Sequence, residues 1–135
     1  MRSNIDDDIY RRLVRARELM DDCYGEQLTL ERISREACIS QYHFLRLFRD
    51  TFEQTPHQYL TDRRIRKAKE LLESKPIAVT DVCFEVGFQS LGSFITLFRK
   101  HVGQSPRTYR RVFIVRQSIA RIPACFIYMF THPAE

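Results

Sequence analysis

A stretch of twenty residues recurs, with drift, fifty residues downstream, which limits the chain to folds that can hold two copies of one unit. Ser40–Tyr59 and Ser90–Tyr109 agree at eight positions: Ser40/Ser90, Phe44/Phe94, Leu47/Leu97, Phe48/Phe98, Arg49/Arg99, Gln54/Gln104, Pro56/Pro106 and Tyr59/Tyr109. Chance at ordinary composition gives about one. A period of this length usually marks a solenoid, but a stacked array needs about three units to cover its faces, and here there are two. Each copy reads as a short helix, a tight turn and a second helix carrying arginine. The duplicated object is therefore a binding module rather than a stacking unit.

Apolar residues along the chain keep helical time, and strand-like alternation is hard to find. With only 4 glycines and 5 prolines, this predicts an all-α protein. Ile5, Ile9, Leu13, Ala16, Met20 and Cys23 make one stripe of a first helix from about Ile5 to Tyr24, with acid in its first turn and Gly25 after its end. Thr29 caps a second helix, with Leu28 and Ile33 placed as a hydrophobic staple, ending near Cys38. A third helix, about Ser40 to Phe52, puts Phe44, Leu47, Phe48 and Phe52 on one side and Tyr42, Arg46 and Arg49 on the other. Thr55-Pro56-His57-Gln58 is a strong helix start, and the helix it opens runs through Ser74 before Pro76, burying Tyr59, Leu60, Ile65, Ala68, Leu71 and Leu72. The second copy follows: a short helix at about Val79–Val86 buries Val79, Val82, Cys83 and Val86, and Gly87 turns the chain. A helix at about Ser90–His101 then buries Phe94, Leu97, Phe98 and Val102, and Ser105-Pro106 opens a short last helix through Arg111.

The organisation that results is an N-terminal helix (1–26) packed on a first helix-turn-helix (27–55), a linking helix (56–75), a second helix-turn-helix (76–111) and an apolar tail (112–135). The turns are matched. Ser34 and Cys38 in the first copy, and Cys83 and Gly87 in the second, supply a small residue at the crossing and a turn residue four later. Glycine suits a left-handed turn, whereas Cys38 there costs about 1 kcal/mol.

Charge is concentrated on the repeated part. Residues 1–26 carry five Arg against seven Asp/Glu, whereas residues 27–111 carry fifteen Lys/Arg against nine Asp/Glu, within a net +5. A basic patch on a duplicated module suits a polyanion, although a solvated basic surface gives the same balance. The four cysteines and four histidines fall at no zinc-ligand or disulfide-framework spacing, so neither a metal nor any other cofactor is implied, and reduced thiols in a cytosol are expected. Met1-Arg2-Ser3-Asn4-Ile5-Asp6 is not a secretory start. The apolar stretch Val112–Phe130 is interrupted by Arg116, Arg121 and Pro123, well short of a membrane span of about 20 residues.

Residues from about 27 to 111 resemble the AraC/XylS family DNA-binding domain. The resemblance is carried by Val82-Cys83-Phe84-Glu85-Val86-Gly87-Phe88 followed by Phe94, Phe98-Arg99-Lys100, Gly103, Pro106 and Tyr109-Arg110. The first copy adds Leu45-Arg46-Leu47-Phe48-Arg49, Pro56, Tyr59-Leu60, Arg64, Ala68 and Leu71-Leu72. The chain is similar to the small stand-alone members, the multiple-antibiotic-resistance and superoxide-response activators. This implies two helix-turn-helix units flanking a long helix, a sequence-specific transcription regulator, double-stranded DNA as partner, activation through RNA polymerase, and a cytoplasmic, nucleoid-associated protein.

On that resemblance Gln41, Tyr42, Leu45 and Arg46 occupy base-contacting positions. Arg46 is suited to a guanine, Gln41 to an adenine, and Tyr42 and Leu45 also to packing on the flank. The matching positions of the second copy are Leu91, Gly92, Ser93, Ile95 and Thr96, which carry less base information, so this unit reads as an anchor. His43, Arg49, Arg99 and Lys100 are expected at phosphates. Arg63, Arg66, Lys67 and Lys69 read as a solvated face and Arg64 as structural. Two units in one chain remove the need for a dimer, so a monomer on an asymmetric site is expected.

The apolar tail Cys125-Phe126-Ile127-Tyr128-Met129-Phe130 has three readings: packing back on the domain, a partner-binding patch, or disorder with a tendency to aggregate. The patch supports a rival function, an interaction protein modulating another regulator. An enzyme is not expected, because no nucleophile–base pair, metal cluster or phosphate-cradling glycine loop can be found. A small-molecule sensor is disfavoured, since two small helical cores leave little space for a pocket.

Overall fold

The computed structural model describes residues 5–121. Among them are seven helices and no strand: α1 (Asp7–Asp22), α2 (Leu30–Glu36), α3 (Gln41–Phe52), α4 (Pro56–Ser74), α5 (Val79–Glu85), α6 (Leu91–Val102) and α7 (Pro106–Ala120). Most starts are set locally by an oxygen that accepts from an otherwise orphaned amide. Asp6, Thr29, Ser40, Ser90 and Ser105 do this, and Thr55 and Gln58 exchange the reciprocal bonds of a capping box. Ala78 supplies no side-chain cap to α5.

Two cores result, and they are built alike. Leu13, Ala16 and Met20 of α1 cover Phe44 and Phe48 of α3 in the first, while Ile65, Ala68 and Leu72 of α4 cover Phe94 and Phe98 of α6 in the second. Each fully buried phenylalanine contributes about 2–3 kcal/mol. The aromatic ladder repeats as well: Phe44–Phe48–Tyr59 at ring spacings of 5.5 and 5.9 Å, and Phe94–Phe98–Tyr109 at 5.7 and 5.6 Å. So do the polar ties. The Tyr59 hydroxyl donates to Asp21 of α1, and the Tyr109 hydroxyl donates to Glu73 of α4. Thus α4 serves twice, its start closing the first unit and its end opening the second.

The turn residues behave as the sequence predicts. Cys38 and Gly87 both take left-handed backbone, with φ of 55° and 100°. The turn that follows is one residue longer in the second unit: Ile39 alone separates Cys38 from the cap Ser40, whereas Phe88 and Gln89 separate Gly87 from Ser90. Phe88 uses the extra length to enter the core against Phe94, at a ring spacing of 5.2 Å.

Three expectations need revision. Tyr59, Val79, Leu97 and Val102 pack against the cores but stay half-buried rather than buried. The apolar stripe of α1 is narrower than predicted, since Asp6 is the cap and Ile5 and Cys23 are only half-buried. The last helix does not stop at Arg111. It continues to Ala120, because no proline or glycine interrupts it before Pro123 and Val112 and Phe113 remain partly covered as α7 packs along α4. Residues 112–120 are therefore helix rather than tail, and the segment Cys125–Phe130 lies outside the described residues.

Candidate nucleic-acid interface

Phe44 and Phe48 root α3 in the first core, which fixes what its opposite side presents. Gln41, Tyr42, His43, Arg46 and Arg49 are exposed there, Tyr42 by 73%, and Leu45 stands at the edge of the exposed set. The Arg46 guanidinium lies 5.9 Å from the Tyr42 ring, a distance at which the ring face favours the cation and narrows its range of orientations. Phe94 and Phe98 root α6 in the same way, exposing Gly92, Ser93, Thr96, Arg99 and Lys100. Leu91 and Ile95 are different: both are half-buried and pack against the second core, one flank away from Ser93 and Thr96.

The cations on these faces have no carboxylate partner among the described residues. Arg46, Arg49, Arg99 and Lys100 take part in none of the ion pairs, which instead engage Arg12, Arg32, Arg35, Arg63, Lys67 and His101. A surface arginine without a partner keeps its full charge and all five donors for an incoming anion.

Arg64 is structural, as expected. Its Nε donates to the Tyr24 carbonyl at 2.8 Å and its Nη2 to the Glu26 carbonyl at 2.9 Å, tying α4 to the loop after α1, and its partial burial lowers its affinity for a proton. Arg110 does the equivalent work in the second unit, donating to the Leu72 and Lys75 carbonyls at the end of α4. The linking-helix cations are less free than a solvated face implies. Arg63 lies over Tyr24, Lys69 is near Tyr109 and Lys67 pairs with Glu70, while Arg66 stays exposed. His101 joins α6 to α4, its Nε2 2.9 Å from Asp62.

Sequence reasoning did not single out the carboxylates that hold Tyr59 and Tyr109. Burial and the neighbouring Asp21 and Glu73 push both hydroxyls up to about 12. The paired tyrosines were visible in the repeat, but their acceptors sit on helices 36–38 residues away and leave no local trace. Arg107 and Arg111, exposed on the first turns of α7 beside Arg99, were also missed. They line a groove of about 860 Å³, so the expectation that the small cores leave little space for a pocket is corrected: the space lies between elements rather than inside a core.

A helix-turn-helix domain family matches residues 33–112, more than half of the chain. The two units, their shared helix and this match together decide the assignment. The chain belongs to the AraC-type helix-turn-helix family. Among curated relatives it is 34% identical over 89 residues to YdeC, an uncharacterized HTH-type transcriptional regulator of Bacillus subtilis; the match covers 66% of this chain and 31% of YdeC. The chain thus spans about a third of the length of such family members. The DNA-binding domain of AdpA, a global transcriptional factor solved in complex with a target DNA, has a similar structure. Its TM-score is 0.71 and its identity 29%, with 84% of this chain and 98% of that one covered. An AraC-type regulator from Chromobacterium violaceum gives a TM-score of 0.70 and 25% identity, covering 76% of this chain and 91% of its own. Among the described residues no cluster of His, Cys, Asp and Glu could hold a metal, and no helix is long and apolar enough to cross a membrane.

Proposed function

We propose that the chain is a sequence-specific DNA-binding transcription regulator that inserts α3 and α6 into successive major grooves of one duplex. The observation that carries this reading is the pair of recognition helices, each rooted by two buried phenylalanines and each exposing two cations, Arg46 and Arg49 on α3 and Arg99 and Lys100 on α6, that have no carboxylate partner among the described residues. Base reading falls mainly to Gln41, Tyr42 and Arg46, with Leu45 at the edge. The second unit adds hydroxyl contacts from Ser93 and Thr96 and close approach at Gly92, while Leu91 and Ile95 support the helix from its flank. His43, Arg49, Arg99 and Lys100 hold phosphates, and the charge they neutralise makes binding salt-dependent. On this reading one chain acts as a monomer in the nucleoid and activates transcription through RNA polymerase.

Selection of bound sites from random DNA, followed by footprinting, tests this. The expected product is an asymmetric site of roughly 16–20 bp at one chain per duplex, from helices about one DNA turn apart. Arg99→Ala should weaken all sequences alike and reduce the salt slope by about one. Palindromic sites occupied by two chains, or no sequence preference at all, would sink the proposal.

A further inference from the structure

The two units carry the same groove, and among the described residues it is open in only one of them. It runs between the start of the first helix of the unit, the recognition helix, and the start of the helix that follows. In the first unit Leu28, Leu30, Leu45 and Leu60 close it down to about 170 Å³. In the second unit Val79 follows the cap as Leu30 does, and Arg110 stands where Leu60 does in the repeat; it lines the groove while its guanidinium donates to the Leu72 and Lys75 carbonyls. The space left is about 860 Å³.

Its walls are of two kinds. Val79, Leu91, Ile95, Ile114 and Val115 are apolar, and Ile114 and Val115 are both more than half exposed. Arg99, Arg107 and Arg111 form a cationic rim and take part in none of the ion pairs among the described residues. The volume falls within the range of about 300–1,000 Å³ typical of small-molecule sites, which are mostly apolar with a few orienting polar groups. A guanidinium matches a carboxylate through two parallel hydrogen bonds. A DNA backbone would satisfy the arginines, but its deoxyribose C–H groups give far less apolar surface than an aromatic body to cover Ile114 and Val115.

We propose that this groove binds a small organic anion with an apolar body, such as an aromatic carboxylate, its carboxylate held by Arg107 and Arg111 and its body laid against Ile95 and Val115. Leu91, Ile95 and Arg99 sit at four-residue spacing on α6, so the ligand grips the flank of the recognition helix and leaves Ser93 and Thr96 uncovered.

The test uses the full chain without DNA, so its outcome is independent of the DNA-binding reading. Calorimetric titration with naphthalene-2-carboxylate should give saturable one-to-one binding, and naphthalene-2-methanol, which lacks the charge, should bind at least about tenfold more weakly. Arg107→Glu should weaken the carboxylate by about tenfold or more, while the same charge change in Arg66→Glu on the linking helix leaves it unaltered. Both side chains are exposed, and an unchanged amide spectrum verifies that each variant is folded. Methyl resonances of Ile95 and Val115 should shift on binding, whereas those of Leu45 should not. Absence of binding at millimolar carboxylate, equal binding of the alcohol, indifference to Arg107→Glu, or shifts centred on Leu45 would each overturn the proposal.

Discussion

The first and second helix-turn-helix units share one backbone plan but distribute side chains in opposite ways. The first puts polar and aromatic groups on its recognition helix and leucines in its groove. The second puts small residues on its helix and arginines around an open groove. They differ in the same sense at their left-handed positions. Cys38 and Glu53 hold φ of 55° and 60° in the first unit, where the second uses Gly87 and Gly103 at 100° and 89°. A non-glycine there costs about 1–2 kcal/mol, so the unit with the richer reading face tolerates the more strained turns. Duplication therefore preserved the scaffold while surface and strain were free to diverge, because a core fails as a unit whereas an exposed position changes at little cost.

The sharpest way to break this comparison is at the glycines. A Cβ on Gly87 would stand 2.6 Å from the Tyr24 carbonyl oxygen and 3.0 Å from Arg64 Nε, whereas one on Gly103 meets nothing within 4 Å. Gly87→Ala should therefore cost about 3 kcal/mol or more, strain and clash together, and Gly103→Ala only about 1 kcal/mol, strain alone. Equal losses in chemical denaturation would show that the clash with α1's loop is relieved at no cost. Cys38→Gly should move the other way, a gain of about 0.5 kcal/mol once the greater freedom of the unfolded chain is counted.

The unequal reading faces predict the next effect. If Arg46 grips a base as proposed, Arg46→Ala should cost about 1–3 kcal/mol of specific DNA binding and relax one position of the site, as loss of a bidentate contact does. Thr96→Ala, at the matching place on α6, should cost less than about 1 kcal/mol. Affinities for sites with either half scrambled give the same comparison. If both halves contribute equally, readout by DNA deformation is supplying the second unit's share.

Tyr59 and Tyr109 probe the symmetry of the scaffold. Each hydroxyl donates to a carboxylate on the preceding long helix, so Tyr59→Phe and Tyr109→Phe should each destabilise by about 1.5 kcal/mol. Both hydroxyls are pushed up to about 12, so the fold favours their neutral form. Their contribution is complete below about pH 10, where the tyrosines of an unfolded chain titrate, and disappears as pH rises towards 12. Melting temperature followed across that window should fall less in either variant than in the parent. A large difference between the two variants would break the equivalence of the units.

Much of this architecture is legible in single letters of sequence. Thr55-Pro56 and Ser105-Pro106 mark helix starts, Phe44/Phe48 and Phe94/Phe98 mark the rooted faces, and Cys38 and Gly87 mark the turns. Each signal works through neighbours within one or two helical turns, where backbone geometry alone decides what meets what. The outward cations Arg46, Arg49, Arg99 and Lys100 follow from the same arithmetic, since a helix anchored by two phenylalanines has only one other side. What the tertiary structure decided lies at longer range. Arg110 reached from the groove wall to the carbonyls at the end of α4, Leu91 and Ile95 settled against the second core, and α7 ran on past Arg111 because α4 was there to cover it. Those outcomes depend on the distance between side chains dozens of residues apart, a quantity fixed only when the two cores close around α4, and one that no periodicity along the chain encodes.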